Sequence, residues 1–539
     1  MPFLAEEHLP IPDEDILSWI FDHVSYDWDM PIYIDAANPA RTISARQALD
    51  TIGRLITGLK AAGVQQGDCI CYPLAFLGII GAGGIFAGTN PSYTTHELTH
   101  AIRTASIKHI IVEPPLLPAV LSAARSCSIP DAHVILFDPA ASPPSPPSPP
   151  SPHPTYRTLL AHPPSPWLRL PPAITPAARL FSSGTTGAPK ALDLTHAHLV
   201  AQHTLTTAHP AHRKPYAVRR LLCTPFFHVS QVARAHVSAL RGGFAAVVQR
   251  RFEARAWVAA VAAHGVTEAN VVPGMVGAVV ALGEGDRAGV RAALGGLRNV
   301  WCGAAPMGAA LQARLAALLP DGTPCTQAWG MSETSGIASF LYWPEADGTG
   351  SVGRMLPGVD VKLVDDGGND VSDFNVSGEL CIRGPIIVAG YYRNEEANKR
   401  DWDEDGYFHT GDVAYCDRES KLWYIVDRKK ELIKVRGFQV SPTEVESVLL
   451  SHPNIADAGV IGVTLAENES ELPRAYVVQK PGTKVTEQEV MEYVTSRLSR
   501  YKRPEGGIRI VESIPKNASG KILKKELREQ AKRELAAKL

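Results

Sequence analysis

The segment Leu180-Phe181-Ser182-Ser183-Gly184-Thr185-Thr186-Gly187-Ala188-Pro189-Lys190 constrains this chain more than any other. An apolar, strand-like approach (Ala178 to Phe181) runs into a short loop of hydroxyl residues and glycines that ends in one lysine. A helix is expected beyond it, with Thr195 as N-cap ahead of His198, Leu199 and Gln202. Glycines let the backbone approach an anion closely, hydroxyls and N–H groups donate to its oxygens, and the lysine adds a mobile positive charge. That is the chemistry of a polyphosphate cradle. It is not the P-loop, because a G-x-x-x-x-G-K-[ST] match from Gly184 would need glycine where Pro189 stands. An ordinary Gly/Thr surface turn is the alternative, and only the rest of the chain decides.

Around this loop the sequence reads as α/β. Residues 40–130 alternate helical patterns, as in Ser44 to Ala61, with short apolar runs at Cys69 to Tyr72 and His109 to Val112. Such alternation predicts βα units around a mainly parallel sheet. Residues 138–176 break the texture: Ser142-Pro143-Pro144-Ser145-Pro146-Pro147-Ser148-Pro149-Pro150 is low in complexity, and a proline-rich surface insertion is expected there. Patterned sequence resumes at residue 178. Beyond Asp427, Ser441-Pro442-Thr443-Glu444 reads as a capping box with proline at N1. Val460 to Val463 and Ala475 to Gln479 read as strands, and Thr486 to Glu489 as a second capping box before Val490, Met491, Val494 and Leu498. The expected architecture is a large N-terminal αβ domain with mainly parallel sheets, residues 1–427, and a smaller α+β domain, residues 428–539.

Bulk properties exclude several classes. The 539 residues are 45% hydrophobic and 20% charged, an ordinary globular balance, and the net charge of −2 leaves no nucleic-acid footprint. The longest apolar run, Phe76 to Thr89, is broken by five glycines and too short to span a bilayer. Met1 to Pro10 has no secretory pattern. The eight scattered cysteines form no zinc pattern and are expected to be reduced thiols. Ala537-Lys538-Leu539 is a conservative variant of the Ser-Lys-Leu address read by a peroxisomal import receptor. A peroxisomal location is therefore expected, and otherwise a cytoplasmic one.

Further blocks align behind the loop: Thr224-Pro225-Phe226-Phe227-His228, Gly303-Ala304-Ala305-Pro306-Met307 and Trp329-Gly330-Met331-Ser332-Glu333-Thr334. Then come Tyr407-Phe408-His409-Thr410-Gly411-Asp412, Asp427-Arg428-Lys429-Lys430-Glu431 and Pro515-Lys516-Asn517-Ala518-Ser519-Gly520-Lys521. In this order, from about residue 40 to 525, the chain resembles the adenylate-forming superfamily, which includes acyl- and aryl-CoA ligases, firefly luciferase and peptide-synthetase adenylation domains. Val426 to Lys434 with Gly437-Phe438-Gln439-Val440 looks most like the 4-coumarate–CoA ligase branch. The resemblance implies that a carboxylic acid and Mg·ATP form an acyl-adenylate, which coenzyme A then converts to a thioester.

It also implies roles for particular residues. Ser182, Ser183, Gly184, Thr185, Thr186, Gly187 and Lys190 would grip the β- and γ-phosphates, and Glu333 would bind Mg²⁺. Asp412 and Arg428 would contact the ribose; Ala304, Gln327, Trp329 and Ser332 would surround the nucleotide. Lys521 would stabilise charge on the α-phosphate. Lys430 would be the hinge of a mobile C-terminal domain that exchanges Lys521 for Lys434 and Gln439 in the thioester step. Arg251, Arg436 and Gly437 would touch coenzyme A.

The acyl pocket departs most from the family habit. His228 would gate the carboxylate, with Ala328 nearby. Ser230 replaces a ring-contacting aromatic and would enlarge the pocket, and Arg234 stands where a small residue is common. Arg234 is expected to point to solvent, as arginines ordinarily do; pairing with a second anionic group on the substrate is the alternative. Ala191 follows Lys190 where glycine is usual, and the stretch near residues 71–76 looks shortened. An adenylating enzyme that loads a carrier protein in trans, or a silent nucleotide-binding scaffold, are the competing readings.

Overall fold

The computed structural model describes residues 1–71, 75–137, 153–182, 189–435, 438–464, 471–517 and 520–536. The Pro-rich run Ser142 to Pro150, most of the shortened stretch (residues 72–74) and the tripeptide Ala537 to Leu539 lie outside them.

Two large, mainly parallel sheets form the N-terminal part. One has six strands, in the order Val134–Leu136, Ile107–Val112, Cys69–Cys71, Ile85–Ala87, Pro176–Ser182 and Lys190–Thr195. The other has seven, running Cys325–Gln327, Asn299–Cys302, Glu268–Val271, Arg219–Leu222, Ala245–Val248, Pro31–Asp35 and Thr42–Ser44. In each, only the last pair is antiparallel. The βα reading of residues 40–130 holds: helix Ala45–Ala61, with its Ser44/Gln47 capping box, packs its apolar stripe (Ile52, Leu55, Ile56, Leu59) into the core. A third, antiparallel sheet of Asp360–Val364, Gly378–Arg383, Phe408–Cys416 and Trp423–Arg428 follows.

The stretch 138–176 is not one surface insertion. Residues 153–176 are built into the N-terminal part, with Leu159 buried in its core. The peptide of Leu159 approaches Gly58 so closely that a Cβ there would meet the Leu159 carbonyl oxygen at 2.4 Å. Trp167 donates to Ser18 at 3.1 Å. Apolar anchors among the prolines tie down this half of the segment.

After Arg428 a second core is built from Val445, Leu449, Val460, Ala475, Val477, Val490 and Val494. It lies between strands Ile455–Thr464, Glu471–Gln479 and Ile508–Ile510 and helices Pro442–Leu450 and Glu487–Thr495. The Thr486/Glu489 capping box is complete. At Ser441 only half of the expected box forms. Ser441 accepts from the Glu444 N–H, but the Glu444 carboxylate is taken by Lys502 at 2.7 Å. The cysteines whose side chains are described are free thiols, and no described helix is long and apolar enough to cross a membrane.

Candidate active site

The phosphate-type segment is flanked by two paired strands. Strands Pro176–Ser182 and Lys190–Thr195 pair antiparallel with Ser182 opposite Lys190, so both ends of the loop arrive at one point. The strand Lys190–Thr195 precedes the expected helix, His196–Thr206, whose N-cap is Thr195 with His198 as its capping-box partner. Ser183, Gly184, Thr185, Thr186 and Gly187 lie outside the described residues.

Ser182 and Lys190 open onto a cleft of about 610 Å³. His228, Ala304, Ser332, Glu333, Arg428 and Lys430 line the same cleft, and so does Lys521 from the C-terminal part. Residues more than 300 positions apart are thus brought to one space.

Each side chain is held for a local reason. Glu333 sits in the turn Ser332–Thr334 and is almost fully buried, so it is no exposed helix-start residue. Its Oε1 accepts from the Tyr391 hydroxyl at 2.8 Å. Tyr391 in turn offers its ring face to the Lys190 ammonium, 4.0 Å from the centroid, while that ammonium pairs with Asp401 at 3.0 Å. Burial pushes the Asp401 carboxyl up, but hydrogen bonds from Arg400 and Lys190 outweigh it and hold the group below its usual value. Both Tyr391 and Asp401 line the cleft, and sequence reasoning passed over both. The available signal was Gly390, whose φ of 151° marks a glycine-specific approach directly before Tyr391.

Asp412 is buried behind Thr410 and Gly411, which line the wall. Trp329 Nε1 donates to its Oδ2 at 2.8 Å and Arg428 Nε lies 3.1 Å from its Oδ1. Asp412 raises the Arg428 guanidinium above its ordinary value. Trp329 therefore orients Asp412 and does not itself line the cleft. Gln327 and Ala328 also stand back. Gln327 Oε1 accepts from the Met307 N–H at 2.8 Å, and the Ala328 N–H donates to Cys302 O at 2.8 Å, fixing the loop that presents Ala304. Ala304 has a left-handed φ of 70°.

Lys521 emerges from a tight turn. Gly520, at φ 82°, donates to Asn517 O, and the Lys521 N–H donates to Asn517 Oδ1, both at 2.9 Å. Only glycine takes that φ without strain, which accounts for the Gly-Lys pair. Burial lowers the Lys521 ammonium, as does Arg428, while Glu431 and Asp412 pull it back up. The neighbouring Lys524, in a lysine-rich stretch with Lys516 and Lys525, is buried between Glu431 (3.1 Å) and Glu446 (3.5 Å).

His228 caps the short helix Val229–Ala233, with its Nδ1 3.0 Å from the Ser230 hydroxyl. Ser230 is thus engaged with His228. Arg234 corrects the expectation of solvent exposure: it is buried, bonded to Asn270, and lies over the Trp301 ring. Arg234 opens a π-helical turn, Arg234–Ser238. Lys434 faces Gln439 across the hairpin Ile433–Val435/Phe438–Val440, is exposed, and lies outside the cleft. Arg251 is likewise exposed and away from it, while Arg436 and Gly437 lie outside the described residues. Among the described residues no cluster of three His, Cys, Asp or Glu could hold a metal. The buried Glu333 carboxylate, in a cleft that Asp401 and Glu379 also line, is still a fit for magnesium, which takes one or two protein carboxylates and completes its shell with water and phosphate.

Comparison with known proteins agrees with this geometry. Residues 22–392 match the AMP-binding enzyme family, and residues 444–521 match the AMP-binding enzyme C-terminal domain. The chain belongs to the AMP-binding enzyme family. Within it, the chain is 44% identical to a phenylacetyl-CoA ligase of Aspergillus niger, over 98% of this chain and 99% of that one. An acyl-CoA ligase of the same species is also 44% identical, over 98% and 100%. Among solved structures, an anthranilate CoA ligase in complex with anthranoyl-AMP superposes with a TM-score of 0.84 at 23% identity, covering 98% of this chain and 99% of that one. The superposition carries the adenylate-forming fold of two unequal parts expected from the sequence.

Proposed function

We propose that this enzyme, an ATP-dependent acyl-CoA ligase, activates a medium or large carboxylic acid in the cleft that Lys190 and Lys521 both line. In the first step a carboxylate oxygen attacks the α-phosphorus of ATP, and the bond to the bridging oxygen breaks to release diphosphate. In the second, the coenzyme A sulfur attacks the acyl carbon, AMP leaves, and the thiol proton passes to solvent.

The carrying observation is the convergence of Lys190, Glu333, Arg428 and Lys521 on one cleft. Two anions must meet there, and positive groups fixed in advance around the reacting oxygens cost no reorganisation in the transition state. Lys190 and the hairpin loop bind the outer phosphates, Asp412 takes the ribose hydroxyls, and Lys521 meets the α-phosphate. Glu333, fixed by Tyr391, holds magnesium when it is bound, and that ion screens the phosphate charge. Lys434 and Gln439 serve the second step after the C-terminal domain, residues 428–539, turns about Lys430. Arg251, Arg436 and Gly437 bind coenzyme A. The terminal Ala537-Lys538-Leu539 directs the enzyme to peroxisomes.

A panel of carboxylic acids tests this: the purified protein is expected to release diphosphate in an acid-dependent way, and AMP together with an acyl thioester when coenzyme A is added. Diphosphate without thioester would favour transfer to another acceptor. No acid-dependent diphosphate would remove the proposal.

A further inference from the structure

The seven-stranded sheet has two unlike faces. On one, Leu221, Ala269, Val271, Val300, Cys302 and Cys325 pack into an apolar cluster. On the other, neighbouring strands set Arg220 beside Glu268, Glu268 beside Asn299, Asn270 beside Trp301 and Trp301 beside Thr326. Parallel sheets ordinarily bury apolar side chains on both faces. Here Arg220, Glu268, Asn299 and Thr326 are all at most 3% exposed.

Charge does not balance on this face. Glu268 pairs with Arg220 at 2.8 Å and with Lys214, and accepts from the Tyr216 hydroxyl at 2.9 Å. Arg234 is the third cation, and its hydrogen bond goes to the neutral Asn270. Lys214, Arg220 and Arg234 lie 4.8, 5.9 and 5.3 Å from the centroid of the same Trp301 ring. One carboxylate thus faces three cations, leaving two formal positive charges uncompensated among these residues. Burial, then Arg220, pushes the Arg234 guanidinium down to about 9, and burial brings Lys214 down to about 8 against the pull of Glu268. Donors are also in surplus: Arg220 Nε and Nη1, Asn299 Nδ2 and Trp301 Nε1 are buried with no hydrogen-bond partner. An unpaired buried donor is costly, and an unpaired buried cation more so.

The place of this cluster gives it meaning. Asn270 and Trp301 stand one residue before the carboxyl ends of their strands, and the chain after Cys302 turns at once into Ala304, which lines the cleft. Arg234 follows by six residues His228, another lining residue. Open α/β sheets take their ligands at this end.

Resting on the ligase reading above, we propose that Arg234, backed by Arg220, forms an anion-accepting end to the acyl pocket, so that the preferred substrate is an acid carrying a second carboxylate at its far end. That carboxylate supplies the acceptors the cluster lacks and offsets one surplus charge. Charge-assisted, bidentate bonding to a guanidinium suits it.

The test compares monocarboxylic acids with ω-carboxylated acids of matched length, measured as coenzyme A-dependent AMP formation by the full-length protein. The diacid is expected to win in kcat/KM by about 10–100-fold, the ordinary range for a hydrogen-bonded charged group. Arg234→Met should collapse the ratio toward one, and Arg234→Lys should keep part of it. A wild-type enzyme that favours the monoacid at every length overturns the inference, as does a diacid preference untouched by Arg234→Met. Should the variants fail to fold, the wild-type ratio alone decides. Turnover of monoacids without any diacid preference sinks only this anion site, whereas diphosphate release with no acid at all sinks the ligase reading with it.

Discussion

Lys521 owes its position to a single glycine and a single asparagine, since Gly520 and Asn517 close the turn that aims it into the cleft. Lys521→Ala should lower adenylation by about 10²–10³, the usual loss for one such electrostatic contact, while thioester formation from supplied acyl-adenylate persists. Separate assays of the two half-reactions check this, and Lys434→Ala should show the reverse bias. Trp329→Phe should raise KM for ATP about 10-fold, because Asp412 loses an oriented donor to a charged acceptor; a nucleotide titration reads it. The Gly-Lys turn is legible in the sequence because a backbone requirement writes itself as a residue type. Arg234 and Lys524 are not. Whether a cation is buried depends on which strand and helix pack over it, and that information lies at Asn270 and Trp301, or at Glu431 and Glu446, far along the chain.

Among the elements, the two caps of the C-terminal domain separate local from tertiary information. Thr486→Ala removes a complete capping box and should cost about 1 kcal/mol in urea unfolding. Ser441→Ala should cost about 2 kcal/mol, because the Ser441 hydroxyl also donates to buried Asp427 at 2.6 Å, a bond to a charged group. Sequence spacing finds both caps, yet it assigns Glu444 to Ser441, whereas Lys502 claims that carboxylate across the domain. The phosphate loop teaches the same lesson. Its residue types are plain, but Lys190–Thr195 alternates over so few positions that the strand completing the hairpin hides behind the stronger cap signal of Thr195. Compositional bias likewise stretched the proline-rich insertion across residues 153–176, where Leu159 and Trp167 in fact anchor the chain.

For the molecule as a whole, buried histidines set the acid limit. Burial lowers His196 and His236 to about 4 and His203 to about 3 from an ordinary value of 6.5. A folded-state pKa below the unfolded one means that the unfolded chain takes up protons first as pH falls. Their stabilising contribution is whole above pH 6.5 and drains away as pH falls through about 4 to 3. Glu268, held at about 2 by Arg220 and Lys214 against the opposing effect of burial, adds a further loss between pH 4.5 and 2. Thermal unfolding should hold level from pH 7.5 to 6.5 and decline from there to pH 4; a flat profile over the lower range would contradict these burials. The α/β class and the two-part division are visible in alternating patterns and in the change of texture after Asp427. The polar face of the seven-stranded sheet is not, because strands of four residues carry too little periodicity to show which side is charged.

The ammonium of Lys190 rests between the Asp401 carboxylate and the Tyr391 ring. With Lys190 in its proposed role, loading a triphosphate would be an exchange of partners, and expelling diphosphate would let the lysine fall back onto its carboxylate. Asp401 would then act as a counter-anion that weakens the grip on incoming ATP and hastens release of the product, so an enzyme without it is expected to hold its nucleotide tighter and turn over more slowly.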